Sequence, residues 1–193
     1  MKNSIELGDS VQNQKVFKMN RNKSPSKKSV PVPLFIVEGF TEYNYITLLK
    51  ELYSKDVKVK NCYGGGANTV LLKSDKILSN PEETGYYTSF VIIYDLDTDN
   101  PNYDALRSKV AAFDNVELLI LDPCFENWLL LHLQDTNVKG TINCAKCVSA
   151  LKKHIPNYKK DDFKLLKKYV TQKTYNHACS KQPIIGKVLK AYF

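Results

Sequence analysis

The amino-acid sequence predicts an α/β fold, in which a mainly parallel sheet is flanked by helices and followed by a helical C-terminal extension. Residues 57–63 alternate between apolar and polar side chains as a strand does, and three short apolar runs also have the length of strands, at residues 33–37, 89–95 and 116–121. Runs this apolar are typical of strands that are buried on both faces of a parallel sheet. Segments with helical spacing lie between them, as the crossover connections of a parallel sheet require.

The first half of the pattern begins at Pro33, which suits the start of a strand because proline has no backbone N–H to donate. Residues 41–53 place apolar side chains on one helical stripe, and Thr41 is the expected N-cap. Residues 57–63 alternate as a strand. The glycines at 64–66 predict a turn, followed by a helix through residue 77 and then a loop at 80–85.

The second half contains the strongest predicted strand, Ser89 to Asp95. A helix is predicted at 103–113, a strand at 116–121 and a short apolar helix at 125–133. After a polar loop at 134–141, apolar residues recur at helical spacing towards the end of the chain. The order βαβαβαβ predicts a parallel sheet with helices on both faces.

The net charge of +8 is concentrated at the two ends of the chain. Residues 1–30 carry +5, residues 31–150 carry −6, and residues 151–193 carry +9. An acidic centre between basic flanks fits a metal-dependent phosphodiesterase, because acids bind the metal and bases contact phosphates. The predicted domains are a basic flexible arm at 1–30, a catalytic domain at 31–135 and a basic helical extension at 136–193. The alternative for each basic stretch is ordinary solvated surface.

Two groups of carboxylates follow predicted strands. Glu38 follows the first strand, and Asp95, Asp97 and Asp99 follow the third. Ligands of open α/β sheets bind beyond the carboxyl ends of the strands, where these side chains would converge. Converging carboxylates repel each other unless a cation lies between them, and Mg²⁺ prefers such oxygen ligands. We therefore predict that these four acids bind Mg²⁺ or Mn²⁺. The alternative is that they are solvated side chains of ordinary loops and turns.

Two strings of residues resemble a known family. "EGFTEYNY" at 38–45 and "DPCFENWLLLHL" at 122–133 are similar to the RloB-like family of Toprim-domain proteins, although Asp122 and Leu133 replace the usual Asn and Phe. The resemblance spans roughly residues 33–193. It implies a Toprim-like fold, with Glu38, Asp95 and Asp97 as the catalytic metal-binding acids. It also implies a metal-dependent nuclease of antiphage defence, with an ATPase as a partner protein.

Other residues are candidates for the same site. Glu126 lies in the first turn of a buried helix and is predicted to be catalytic, as a metal ligand or as a general base; the alternative is a favourable charge at a helix N-terminus. Glu42 could bind a second metal or orient Thr41, or do neither. His132 is interpreted as a hydrogen-bonded core residue rather than a ligand.

The C-terminal extension is predicted to bind nucleic acid, DNA or RNA. Charge that follows the backbone and aromatic rings that stack on bases are the features of single-strand binding, and lysines there interleave with Tyr158 and Tyr169. The alternative is that the lysines only coat helices. The predicted nucleic-acid-binding residues are Lys152, Lys153, Lys159, Lys160, Lys167 and Lys168.

Two further patterns favour plain structural interpretations. The three glycines at 64–66 lack the spacing of a P-loop, so a flexible turn is favoured over a phosphate-binding loop. Cys144, Cys147, His177 and Cys179 could form a zinc site, but buried free cysteines are the favoured interpretation because both cysteines of the first pair lie on an apolar helix face.

The function predicted from the residues and the resemblance is Mg²⁺-dependent hydrolysis of phosphodiester bonds in nucleic acid. The alternatives are a non-catalytic nucleic-acid or nucleotide binder, and a regulatory partner of a defence ATPase. Five cysteines and the lack of a long apolar run or signal-peptide pattern predict a cytoplasmic protein without a membrane partner. Homo-oligomerisation is left open.

Overall fold

A computed structural model describes residues 30–96, 103–135 and 143–193. This part of the chain contains four strands that are parallel throughout, in the spatial order β2-β1-β3-β4. The N-terminal arm up to residue 29, the predicted ligands Asp97 and Asp99, and residues 136–142 lie outside it. The strands are β1 (Val32–Val37), β2 (Lys58–Asn61), β3 (Tyr87–Asp95) and β4 (Val116–Leu121).

Helices connect the strands and continue after them. The predicted order of strands and helices is confirmed in the described residues, as is the helical character of the C-terminal part. The helices are α1 (Phe40–Tyr53), α2 (Gly66–Leu78), α3 (Pro81–Thr84), α4 (Tyr103–Ala111), α5 (Phe125–Leu130), α6 (Cys144–His154), α7 (Phe163–Tyr169), α8 (Gln172–Lys181) and α9 (Pro183–Lys190).

Successive side chains of β1 point into two different cores. Phe35 and Val37 lie in the larger one, which is formed with α1, α5 and the C-terminal helices. Leu34 and Ile36 lie in the smaller one, which is formed with α2 and α4. Alternation across a strand therefore buries both faces of the sheet, and the predicted α/β class, a parallel sheet flanked by helices, is confirmed.

The C-terminal helices share the larger core with the first half of the chain. Leu151 of α6 and Tyr175 of α8 are buried in the same cluster as Tyr45 of α1 and Trp128 of α5. The boundary between residues 135 and 136 stays a prediction, but the two segments that it separates pack against each other. Within the described ranges, no helix combines the length and the apolarity that crossing a bilayer requires.

The structure corrects two local predictions. Gly39, not Thr41, is the N-cap of α1, because the Gly39 backbone is extended and its N–H donates to the Glu42 carboxylate at 3.1 Å. The predicted loop at 80–85 contains the short helix α3. Its first turn is stabilised by the Asn80 side chain, which accepts the Glu82 N–H at 3.1 Å, and by Pro81 at the first helical position.

Candidate active site at the carboxyl edge of the sheet

The site begins where β1 and β3 end side by side. Val37 of β1 pairs with Ile93 of β3 in parallel, so the two strands end at the same edge of the sheet. Glu38 follows β1, and its Oε2 accepts the backbone N–H of Asp95 at 3.2 Å. The structure thus places Glu38 next to the last residue of β3, as expected for acids that follow neighbouring parallel strands.

Asp95 is a buried carboxylate, with 7% of its surface exposed. Its Oδ1 accepts the backbone N–H of Phe125 at 2.9 Å, which ties β3 to the start of α5. Burial raises the pKa of Asp95 to about 9, and the negative charges of Glu42, Glu38 and Glu126 contribute to this rise. Asp95 is therefore surrounded by carboxylates that destabilise its ionised form.

Glu42 belongs to the same cluster. It lies in the first turn of α1, is buried, and accepts the Gly39 N–H. Burial raises the pKa of Glu42 to about 7, and the charges of Glu38 and Glu126 contribute in the same direction. The sequence carries a signal for this position, since residue 42 is one helical turn from the strand-end acid Glu38.

Glu126 completes a cluster of four acids. It is 1% exposed, at the N-terminal turn of α5. Its Oε1 accepts the Tyr158 hydroxyl at 3.2 Å and lies 3.2 Å from the Lys160 ammonium, whereas its Oε2 is buried without a hydrogen-bond partner among the described residues. A buried carboxylate oxygen without a partner is costly and is typical of a site that binds a ligand or a cation.

The C-terminal part reaches the acidic cluster through the segment between α6 and α7. The Lys160 side chain contacts Glu126 while remaining 65% exposed, and the Lys160 carbonyl accepts the Thr41 hydroxyl at 3.4 Å. The Thr41 hydroxyl also lies 3.4 Å from the Tyr158 hydroxyl. Sequence analysis assigned Lys160 to nucleic-acid binding only and missed this contact, because nothing local indicates a partner so distant along the chain.

The other residues predicted to contact nucleic acid are buried, ion-paired or exposed on helix surfaces. Tyr158 cannot stack on a base as predicted, because only 7% of its surface is exposed and its hydroxyl donates to Glu126. Lys167 forms an ion pair with Glu51 at 2.8 Å. All the remaining lysines of the predicted set lie on the exposed surface of α6, α7 or the segment between them: Lys152, Lys153, Lys159 and Lys168.

The four acids have the chemistry that a hard divalent cation requires. Glu38, Asp95, Glu42 and Glu126 offer oxygen ligands of the type that Mg²⁺ and Mn²⁺ prefer, although among the described residues no three of these carboxylates place an oxygen each within 4.8 Å of one another. A cation among them would favour the ionised form of Asp95, whose pKa is otherwise raised by burial and by like charges. Asp97 and Asp99 lie outside the described residues, so their part in the site stays a prediction.

Two cysteine sulfur atoms, those of Cys124 and Cys144, lie near the Asp95 carboxylate. One ligand atom each of Asp95, Cys124 and Cys144 falls within 4.8 Å of the other two. Burial raises the pKa of the Cys124 thiol, so the thiol stays protonated and is a poor ligand for a hard cation. The four residues of the less favoured zinc interpretation are not brought together: His177 lies 3.4 Å from Asp135, and the Cβ of Cys179 packs against Gly186.

Two residues near the site have structural roles. His132 is 4% exposed, with Nε2 3.1 Å from the Tyr45 hydroxyl and Nδ1 3.2 Å from the Trp128 carbonyl, which confirms the core interpretation. Gly64 donates its backbone N–H to the Glu38 carbonyl at 2.7 Å. That N–H is therefore committed to the end of β1 rather than available to a phosphate, as the plain-turn interpretation implies.

Comparisons with known proteins agree with the two strings identified in the sequence. Residues 34–187 match the family model described as RloB-like protein. No protein with a curated description matches the chain. Among solved structures, the chain is similar to the C-terminal region of the Burkholderia pseudomallei OLD protein, with 13% sequence identity and a TM-score of 0.46 over 81% of this chain and 98% of that chain. Because the family model matches most of its length, the chain belongs to the RloB-like family.

Proposed function

We propose that this protein is a metal-dependent nuclease that hydrolyses phosphodiester bonds of nucleic acid and acts in antiphage defence. The observation that carries the proposal is the convergence of four carboxylates from three segments, with Asp95 buried and its pKa raised to about 9. Three of these acids, Asp95, Glu42 and Glu126, are buried, and Lys160 contacts the cluster through Glu126 at 3.2 Å. Such an excess of buried negative charge fits a divalent metal centre.

The chain's own groups have distinct roles in this proposal. Glu38 and Asp95 would hold the metal, which, when bound, polarises a phosphate oxygen and lowers the pKa of bound water. The Asp95 carboxylate is oriented by the Phe125 N–H, and Glu42 is oriented by the Gly39 N–H. Rigid orientation of this kind limits the rearrangement needed when substrate binds.

Two further acids of the cluster, Glu126 and Glu42, are candidates for proton transfer. Glu126 has one carboxylate oxygen without a hydrogen-bond partner in the described residues, so that oxygen can accept a proton from an attacking water. Glu42 has a pKa raised to about 7, near the value at which a general base is most effective. We assign the base to Glu126 rather than Glu42 because the Glu126 Oε2 atom is the buried oxygen without a hydrogen-bond partner in the described residues, whereas the Glu42 Oε2 atom accepts the Gly39 N–H.

Lys160 supplies positive charge at the mouth of the cluster. Its side chain is 65% exposed while its ammonium lies 3.2 Å from buried Glu126, so it can exchange that contact for a substrate phosphate. A cation beside a metal site stabilises charge that develops on the phosphate during hydrolysis. The lysines of α6 and α7 and the basic N-terminal arm would add salt-dependent contacts to the nucleic-acid backbone.

Cleavage of labelled oligonucleotides tests the proposal. The full chain is incubated with single-stranded DNA, duplex DNA and RNA in Mg²⁺, Mn²⁺ or EDTA. Glu38→Gln and Asp95→Asn remove charge with little change of shape, so we expect the cleavage rate to fall by about 100-fold or more, as for loss of a catalytic metal. Asp114→Asn, the same change at an exposed turn, should cleave as wild type does.

Binding measured in parallel separates the nuclease from the alternatives. If the wild-type chain binds oligonucleotides but never cleaves them with either metal, a non-catalytic binder is favoured. A regulatory partner of a defence ATPase would instead acquire or confer activity only when that ATPase is added. Equal cleavage by Asp95→Asn and wild type would contradict the assignment of the acidic cluster.

A further inference from the structure

Beside the acidic cluster lies a groove of about 500 Å³ whose walls are aromatic rings that are open to solvent. Phe40 is 50% exposed, Tyr43 is 36% exposed and Tyr63 is 76% exposed. The rings of Phe40 and Tyr63 contact each other in a T-shaped arrangement, with 5.8 Å between their centroids. These three side chains, together with Lys60 and Asn61, which also line the groove, are called the aromatic groove.

The aromatic groove is attached to the same backbone as the first metal-binding acid. Phe40 is two residues from Glu38, at the start of α1. On the other side, the N–H of Cys62 donates to the Val37 carbonyl at 2.8 Å, and the N–H of Gly64 donates to the Glu38 carbonyl at 2.7 Å. Tyr63 lies between these two bonds, so its position is set directly by the strand end that carries Glu38.

The backbone of Tyr63 is held in an unfavourable conformation that displays its ring. Its φ angle is +62°, in the left-handed region that bulky residues rarely adopt. The N–H of Tyr63 donates to the Asn61 side chain at 2.6 Å, which holds the turn. A bulky apolar ring that is kept in solvent at the cost of backbone strain is typical of a functional position rather than of packing.

The charge at the groove identifies the chemistry of its occupant. Lys60 lines the groove and is exposed, and its ammonium lies 3.5 Å from Glu83, which is not part of the groove lining. Aromatic faces combined with a neighbouring lysine suit a flat, electron-rich ring attached to a negatively charged backbone. The acidic cluster, at which a phosphodiester would be cleaved, begins at the same strand end. A nucleobase next to the scissile phosphate satisfies both features.

We propose that the aromatic groove stacks an unpaired base of the substrate, so that this protein prefers single-stranded or locally opened nucleic acid to intact duplex. The inference rests on the proposed nuclease function, because that function supplies the reason for a phosphate at the neighbouring acids. In a duplex, base faces are covered by their neighbours and are not accessible to side chains. Paired nucleic acid therefore gains nothing from the three rings.

Equilibrium binding in EDTA tests the groove without cleavage. A fluorescent single-stranded oligonucleotide and the duplex of the same sequence are titrated with the wild-type chain, Phe40→Ala and Tyr63→Ala. Each lost ring should weaken single-strand binding by about 10-fold, since stacking contributes roughly 1–3 kcal/mol per base. Duplex binding should change by less than about twofold because backbone charge dominates it.

Two matched variants control for the chemistry and for the position of the change. Tyr63→Phe keeps the ring and should bind single strands as wild type does. Tyr86→Ala removes an aromatic residue that is 65% exposed at the other end of the sheet, ahead of β3, and should also leave binding unchanged. Thermal melts show whether each variant is folded. Alanine, like tyrosine, carries a Cβ atom, so the positive φ angle at residue 63 is similarly unfavourable in Tyr63→Ala and in wild type.

The outcomes distinguish this inference from the proposed function. Unchanged single-strand binding by both Tyr63→Ala and Phe40→Ala would overturn the stacking site even if the chain cleaves nucleic acid. Ring-dependent single-strand binding by a chain that never cleaves would support the site and contradict the nuclease. If the same variants instead dissociate a dimer in sedimentation experiments, the groove contacts a second copy of the chain and the proposal is wrong.

Discussion

Asp95 shows how a single residue would link the proposed metal binding to stability. The residue is ordinarily ionised above pH 3.8, but burial and three neighbouring acids raise its pKa in the folded chain to about 9. Between those values the folded chain holds a proton that the unfolded chain releases, so without metal the free energy of unfolding falls as the pH rises. A bound cation would favour the ionised form and oppose this loss.

We therefore expect Asp95→Asn to be more stable than wild type in EDTA at pH 8, by several kcal/mol, because about four pH units separate pH 8 from the ordinary pKa of 3.8 at about 1.4 kcal/mol each, and to be similar to wild type near pH 4. The asparagine oxygen can still accept the Phe125 N–H, so the variant removes charge and keeps that hydrogen bond. Urea unfolding at both pH values measures the difference. The exposed control Asp114→Asn should show no pH-dependent gain, and a wild type whose stability rises steadily from pH 4 to pH 8 would contradict the expectation.

At the scale of single elements, the turn between β2 and α2 holds Tyr63 of the aromatic groove next to the end of β1. Gly65 is the N-cap of α2 and has a φ angle of +96°. A Cβ atom at this position would lie 2.6 Å from the Thr69 hydroxyl oxygen and 3.0 Å from the Thr69 Cβ. Both the backbone conformation and the close approach to Thr69 therefore require glycine.

Gly65→Ala should destabilise the protein by about 1–3 kcal/mol because of this strain. Gly85→Ala is a matched control, since Gly85 has a φ angle of −62° and an added Cβ would meet the Pro81 carbonyl at an ordinary 3.5 Å. The control should change stability by less than about 1 kcal/mol. Chemical denaturation compares the two, and equal effects would mean that the turn tolerates a side chain.

At the scale of the whole molecule, the C-terminal helices are part of the larger core and of the acidic cluster. Tyr175 packs against Tyr53 with 5.4 Å between ring centroids, and Leu151 and Leu166 are buried in the same cluster as Trp128. We expect a chain that ends at residue 135 to lose cooperative thermal unfolding, because it would expose this apolar surface. Circular dichroism and calorimetry, applied to residues 31–135 and to the full chain, measure the cooperativity of thermal unfolding. A sharp melt of the short chain would show that the segment folds independently.

The basic N-terminal arm is expected to affect binding rather than folding. Residues 1–30 carry a net charge of +5. Removing residues 1–29 should weaken binding to a twenty-nucleotide strand and reduce its salt dependence, because fewer phosphate contacts release less counterion, with a slope of about −0.7 per contact on single strands. Affinities at two salt concentrations, with and without the arm, provide the test. Equal affinity in all four conditions would remove the electrostatic reason for a nucleic-acid substrate.

The sequence by itself determined the order of the elements and the location of two acids. Apolar runs of strand length separated by helical patterns are sufficient to predict a parallel sheet, because each period follows from local backbone geometry. Glu38 and Asp95 could be paired from sequence because each directly follows a strand, and neighbouring parallel strands end at one edge. The strings at 38–45 and 122–133 are sufficient to indicate the family, because each is a continuous run of residues.

Only the tertiary structure decided what surrounds those acids. Lys160 and Tyr158 reach Glu126 from a segment more than thirty residues away, through packing that no local pattern records. The same packing buries Tyr158, which the sequence pattern assigned to base stacking, and leaves Phe40 and Tyr63 exposed near Glu38. Local periodicity describes which face of an element is apolar, but the neighbours of a side chain depend on how all the elements pack together.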